Sequence, residues 1–379
     1  MKTGFAKSRL LMSIACAVLF SVTCSCNKKS PSKNEVPLSL GQFTEISGVS
    51  ISPDGNQILF NGCGHQDYTG CTIYRLDRSN NLFYRYIPHK NMNTIYGGRF
   101  SPVSNRLTFT ILPYDSNQER DYDNSQIAIM NPDGTEFKTL TSGPGLKTRS
   151  TLSYNEKKLA FFKSRMNHST SPLSKQKSKP IGYDLYVLNL QNGIETRLTS
   201  HDFYETNDPY FTSDNKKVLY AGDSPMWLPN GDDASKKNDE YKAKYKENII
   251  YITPIDGSKI LKELSPHFSY SHGSKMPVLL KDGSILFEGR EGIQGYISYH
   301  KRTPEGKLEE IKYTELGIND EGKSLVVLYK MTATPDGRYL AMLNHNQNTK
   351  QRFLRVFDTR TKKLYNLTLP SECKNIHIQ

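Results

Sequence analysis

The stretch Ile51-Ser-Pro-Asp-Gly-Asn-Gln-Ile-Leu-Phe60 decides the fold of this 379-residue chain. Pro53 fixes its own φ, Asp54 can bond back to the backbone, and Gly55 accepts a positive φ, which together make a tight turn. After the turn, Ile58 and Phe60 point to one face of a strand, so that face must pack against a neighbour.

The same pattern recurs five more times. The copies are VSISPDGNQILF (49–60), RFSPVSNRLTF (99–109), TLSYNEKKLAF (151–161), YFTSDNKKVLY (210–220), VLLKDGSILF (278–287) and TATPDGRYLAM (332–342). Their turn positions are Asp54, Val103, Asn155, Asp214, Asp282 and Asp336, spaced by 49, 52, 59, 68 and 54 residues. Two further strand-like runs joined by a short turn follow each copy, as in QIAIMNPDGTEFKTL and DLYVLNLQNGIETRL. Four strands per unit at this period predict an all-β, six-bladed β-propeller over residues 38–379, with four antiparallel strands per blade. A single blade cannot bury both of its faces, so the blades must stack in a ring. Composition agrees: aromatics are 11 % of residues, 23 of them Tyr, with 26 Gly and 19 Pro for turns and a mean hydropathy of −0.61. A sandwich of two sheets is the competing arrangement.

Residues 1–26 read as a signal peptide. Lys2, Lys7 and Arg9 form a basic start, and Leu10 to Val22 is apolar but short for a membrane span. Small residues then lead into cysteine at Thr23-Cys24-Ser25-Cys26, which resembles a bacterial lipobox. Cys26 is the expected lipidation site and Cys24 the alternative. Residues 27–37 (NKKSPSKNEVP) read as a flexible tether. No acidic residue stands directly after either cysteine, so the expected location is the outer membrane facing the periplasm, with surface exposure left open. Cys63 and Cys71 close the segment GCGHQDYTGC between two strand-like runs, and an exported protein would join them as a disulfide. A metal site using His65 with these cysteines is the alternative, short of a fourth ligand nearby. Cys373 is left over unless Cys26 survives to pair with it.

The repeat carries a family resemblance. Strand–SPDG–strand, then a Leu-Tyr-Val-like strand, then a hairpin ending in Arg197-Leu198-Thr199 resembles the TolB-like propellers. The resemblance covers roughly residues 40–370. It implies a six-bladed extracytoplasmic protein and leaves the activity open.

Two segments break the blade pattern. Residues 164–182 extend the connection between the second and third strands of blade three, and residues 222–247 do so in blade four, with a short charged helix expected near the end. The second holds Trp227, the sole tryptophan, beside Met226, and these two are the candidate binding loop residues.

Catalytic motifs fare poorly. Gly317-Ile-Asn-Asp-Glu-Gly322-Lys323-Ser324 matches the phosphate-loop pattern, but a strand rather than a helix is predicted to follow. No G-x-S-x-G or H-E-x-x-H occurs. Asp121 to Ser125 lacks the Gly and Glu of a calcium loop and reads as a solvated turn. His201, His267, His272 and His300 are scattered near blade ends, where several could converge only in the tertiary fold. No catalytic residue, metal ligand or cofactor is therefore assigned. The formal charge of +12 becomes +9 once Lys2, Lys7 and Arg9 leave with the signal. That charge suits an envelope protein or an anionic envelope polymer as partner, with the membrane engaged through the lipid and nucleic acid not expected. The expectation is a monomeric, non-catalytic interaction module. The alternative is a metal-dependent, oligogalacturonate-type lyase or a glycan-binding propeller that uses the central channel.

Overall fold

In the computed structural model the described residues are 43–65, 68–117, 120–168, 178–203, 205–222, 249–258, 262–264, 274–291, 296–311, 326–346 and 352–378. They form six antiparallel blades of four consecutive strands, with no helix among them. Blade one holds β1 (Glu45–Ile51), β2 (Gln57–His65), β3 (Tyr68–Asp77) and β4 (Leu82–Ile87). Blade two holds β5 (Met92–Phe100), β6 (Leu107–Pro113), β7 (Gln126–Met130) and β8 (Lys138–Thr139). Blade three holds β9 (Leu146–Leu152), β10 (Lys158–His168), β11 (Ser178–Asn189) and β12 (Glu195–Arg197). Blade four holds β13 (Tyr210–Phe211), β14 (Lys217–Gly222), β15 (Ile249–Pro254) and β16 (Lys262–Glu263). Blade five holds β17 (Ser274–Leu279), β18 (Ile285–Glu291), β19 (Tyr296–Arg302) and β20 (Leu308–Ile311). Blade six holds β21 (Val326–Ala333), β22 (Tyr339–Asn346), β23 (Arg352–Asp358) and β24 (Lys363–Asn366).

The first strand of every blade lies against the first strands of both neighbours, so these six line the centre of a closed ring. The core sits between blades. Leu59, Ile73, Phe100 and Phe109 pack at the first seam and Ile129, Leu152 and Phe161 at the second. Phe162, Phe203 and Tyr220 fill the third, and Leu219, Leu279 and Phe287 the fourth. Leu286, Leu340 and Phe357 fill the fifth, and Phe60, Tyr74, Leu343 and Leu354 the sixth. Second strands are covered on both faces, which is why Leu107–Leu112 of β6 is buried without alternation.

Closure uses the C-terminus. A last strand, β25 (Lys374–His377), pairs in parallel with β4 as a fifth strand of blade one. Ile376 and Ile378 join the cluster between blades one and two. At the seam between blades six and one, the Arg78 guanidinium lies 5.5 Å from the Tyr339 ring and donates to the Gly55 carbonyl at 2.6 Å.

The turn after each first strand is built as its residue types demand. Ser52 donates to Asp54 Oδ1 (2.5 Å), which also accepts from the Asn56 amide (3.0 Å), while Ser52 Oγ accepts from the Gln57 amide (2.9 Å). Thr212 with Asp214 and Thr334 with Asp336 repeat that pattern at 2.6 Å each. Blade two has Val103 where the carboxylate should be. Glu156 from blade three substitutes, accepting from Ser101 and Ser104 Oγ at 2.5 Å each and lying 3.6 Å from Arg106.

One expected loop is mostly strand. Residues 164–168 and 178–182 continue the β10–β11 ladder out to His168 opposite Ser178, because the backbone keeps its cross-strand bonds past the blade rim. Residues 223–248, with Met226, Trp227 and the expected charged helix, lie outside the described residues, as do Cys24 and Cys26.

Candidate functional site

Counting back from the six turns places two rings of side chains on the central channel. Four residues before the turn stand Ser50, Arg99, Thr151, Tyr210, Val278 and Thr332. Six residues before it stand Gly48, Gly97, Arg149, Asp208, Met276 and Lys330. The first ring is packed. The Arg99 guanidinium lies 3.9 Å from the centre of the Tyr210 ring and donates to the Pro209 carbonyl at 3.1 Å. With Ser50, Thr151 and Tyr154 they leave a cavity of only about 40 Å³, room for a few waters. The channel is therefore nearly closed towards the turns.

The second ring lies one layer nearer the face that carries the long connections, and it is charged. Its backbone is irregular for a shared reason. Register shifts interrupt β1, β5, β9, β17 and β21 at this level, so each of these first strands carries a bulge. Gly48 and Gly97 take φ values of 65° and 69° there, and Arg149 and Met276 adopt 54° and 50° without being glycine. A left-handed conformation in a side-chain-bearing residue costs roughly 1 kcal/mol, and bulges commonly re-aim a side chain.

Electrostatics set this ring apart. Arg99 Nη1 lies 4.0 Å from Asp208 Oδ2, and the Asp208 side chain keeps 38 % of its surface against 11 % for Arg99. Burial works to raise the Asp208 carboxyl, but Lys330, Arg99 and Arg149 together hold it below the usual carboxylate range. Lys330 is pushed down by burial and by Arg149 and Arg99, against the pull of Asp208 and Glu205. Among the described residues Arg149 Nη1 is buried with no hydrogen-bond partner. Three cations thus crowd one carboxylate, with Glu205 as the nearby second anion.

A larger concavity of about 350 Å³ lies by blade three, lined by Lys163, Asp184, Tyr186 and Arg197 among others. Three of its charged groups, Asp184, Arg197 and Lys163, are already paired. Buried Asp184 pairs with Arg197 and accepts from Thr199 Oγ1 (2.7 Å) and the His201 amide (2.8 Å), while Lys163 sits 2.9 Å from Glu195. Beside it the fully buried Lys147 ammonium donates to the carbonyls of Gly143 (2.6 Å), Ser125 (3.1 Å) and Gly145 (3.2 Å). Burial, then repulsion from Lys163, lowers Lys147 to about 8.

The residues singled out in the sequence scatter. Cys63 and Cys71 face each other across β2 and β3, and a disulfide joins them. His65 stacks on Phe43 (4.6 Å), His201 on Phe203 (4.9 Å) and His300 on Phe287 (5.4 Å), each at a different blade. Among the described residues no three His, Cys, Asp or Glu side chains come together as a metal cluster. His267, His272 and the Gly317–Ser324 segment lie outside the described residues, and the chain re-enters as strand β21. Asp121 caps its own turn, accepting from the Asp123 and Asn124 amides at 3.1 Å each. The charged ring went unread in the sequence, although a count back from each turn would have aligned its members.

No family model and no curated protein matches the chain. Solved structures do. An oligogalacturonate lyase from Vibrio parahaemolyticus superposes with a TM-score of 0.52 at 16 % identity, over 85 % of this chain and 77 % of that one. A puromycin-hydrolysing peptidase from Mycobacterium tuberculosis gives 0.53 at 12 % identity, over 88 % of this chain and 55 % of the peptidase. TolB from Acinetobacter baumannii gives 0.49 at 14 % identity, over 89 % and 66 %. At such identities the shared feature is the propeller fold, a scaffold for unrelated activities.

Proposed function

We propose that this chain is an exported, lipid-anchored propeller that binds an envelope partner rather than transforming a substrate. The observation that carries this reading is the charged second ring. A propeller offers six side chains at that level, and this chain spends three of them on Arg149, Asp208 and Lys330. Glycines at two of the other three leave space beside them. Asp184 and Glu156, by contrast, are committed to the scaffold. In this reading residues 1–26 are the signal, Cys26 (or Cys24) carries the lipid, and residues 27–37 hold the ring off the outer membrane towards the periplasm. Trp227 and Met226 belong to the binding loop, and the partner is an envelope protein or an anionic envelope polymer.

The experiment is affinity purification of the tagged protein from crosslinked envelopes. A specific, stoichiometric partner is expected, and recovery of none would overturn the reading. The lyase alternative rests on shared fold alone. Stoichiometric divalent metal in the purified protein would revive it.

A further inference from the structure

We propose that Arg149 and Lys330, which share the channel register with Asp208, form a binding site for a single carboxylate group. This rests on the binding reading above and names the chemistry that the channel recognises.

The two cations are not needed to build the ring. Gly48, Gly97 and Met276 occupy the same register in blades one, two and five, so the fold accepts an uncharged residue there. Arg149 nonetheless adopts a strained backbone conformation to present its guanidinium, and Nη1 of that group is buried with no partner among the described residues. Lys330 takes the same register from blade six, and the like charge of Arg149 works against its ammonium. Strain, an unmet donor and repulsion all act against folding, and a bound anion relieves the last two. Interactions that oppose folding and favour a ligand are what a binding site requires.

The kind of anion follows from the fork and the charge balance. A guanidinium offers parallel N–H groups that match the two oxygens of a planar carboxylate. Arg99, Arg149 and Lys330 against Asp208 and Glu205 leave the site one positive charge in excess. One surplus charge suits a monoanion. The adjacent Asp208 repels a second negative charge, so a phosphate or sulfate dianion is disfavoured. The carboxylate can belong to a small free acid or to an acidic group on a polymer or peptide chain.

The test uses the full-length protein in detergent, with calorimetry and thermal unfolding at constant ionic strength. Acetate and a short glutamate-containing peptide are the probes, with chloride and phosphate as controls. Acetate is expected to raise the melting temperature above chloride and phosphate controls, and Arg149→Met and Lys330→Met to weaken acetate binding at least tenfold. Arg149→Met should melt no lower than the parent without ligand, a result a structural role would not give, whereas Lys330→Met also takes a cation from Asp208 and is read by acetate affinity alone. Peptide binding tenfold tighter than acetate would assign the carboxylate to a partner chain, and equal affinity to a free acid. Phosphate binding as tightly as acetate, or variants that melt lower and bind acetate unchanged, would overturn the site. Partner recovery from envelopes separates the two readings. If both variants keep the partner, the carboxylate site fails as its docking point while the binding module stands. If the parent recovers none yet binds acetate, the module reading fails and the site stands.

Discussion

Two positions of one repeat, six residues apart, are treated in opposite ways. At the turn, carboxylates are satisfied by local donors. Asp54 takes hydrogen bonds from Ser52 and Asn56, and blade two, lacking its own carboxylate, receives Glu156 from blade three. Burial works to raise the Asp54 carboxyl, yet these bonds hold it below the usual range. At the channel position, Arg149 has a buried donor unmet and Lys330 faces like charge. The chain therefore invests polarity in the turns to build the scaffold. In the channel it keeps a buried donor that no described group meets.

Changes at the turn should be the costly ones. Gly55 has φ 76°, and a Cβ there would stand 2.3 Å from the Tyr339 ring at the seam between blades six and one. Gly55→Val is expected to lose about 3 kcal/mol or more in denaturant unfolding, through strain plus overpacking. An unchanged midpoint would mean that this turn does not lock the seam. Glu156→Ala should cost about 2 kcal/mol by leaving Ser101, Ser104 and Arg106 short of an acceptor. Adding Val103→Asp in that background should recover much of the loss, because it restores the carboxylate that Asp54, Asp214, Asp282 and Asp336 supply in four of the other turns. No recovery would sink the idea of a borrowed carboxylate.

Lys147, two residues before the channel position in β9, gives an intermediate effect with a definite sign. Its folded pKa of about 8 lies below the ordinary 10.5, so between those values the unfolded chain binds more protons. Its contribution should therefore strengthen the fold as pH rises from about 8 towards 10.5, by roughly 1–3 kcal/mol. Lys147→Met should flatten that rise relative to the parent in stability measured against pH. Equal slopes in the two proteins would show the ammonium to be better accommodated than its carbonyl cage implies. The smallest effect belongs to the channel. Arg149→Met should change unfolding free energy by less than about 0.5 kcal/mol, since Met276 already serves that register. A loss above about 2 kcal/mol would erase the distinction between the two positions.

Much of the scaffold was legible because it is written locally. A Pro-Asp-Gly turn, an alternating strand and a short hairpin each depend on residues within about ten positions. Cys63 and Cys71 were readable for the same reason, being one hairpin apart. The site was less so. His201 and His300 looked like candidate chemistry, yet each stacks on an aromatic of its own blade. The channel residues were hidden by the opposite fault, since Arg149, Asp208 and Lys330 share no local motif and only their distance to a turn is common.

The sequence alone determined that six similar four-stranded units exist and that each needs neighbours to cover its faces, because strand period and turn chemistry act over short range. Tertiary structure decided what meets in the middle, which blade supplies the carboxylate that Val103 lacks, and that β25 fastens the ring on β4. These are contacts between residues tens to hundreds of positions apart. No local pattern specifies them, because they follow from ring closure and from the bulges in five of the six first strands that set the channel register.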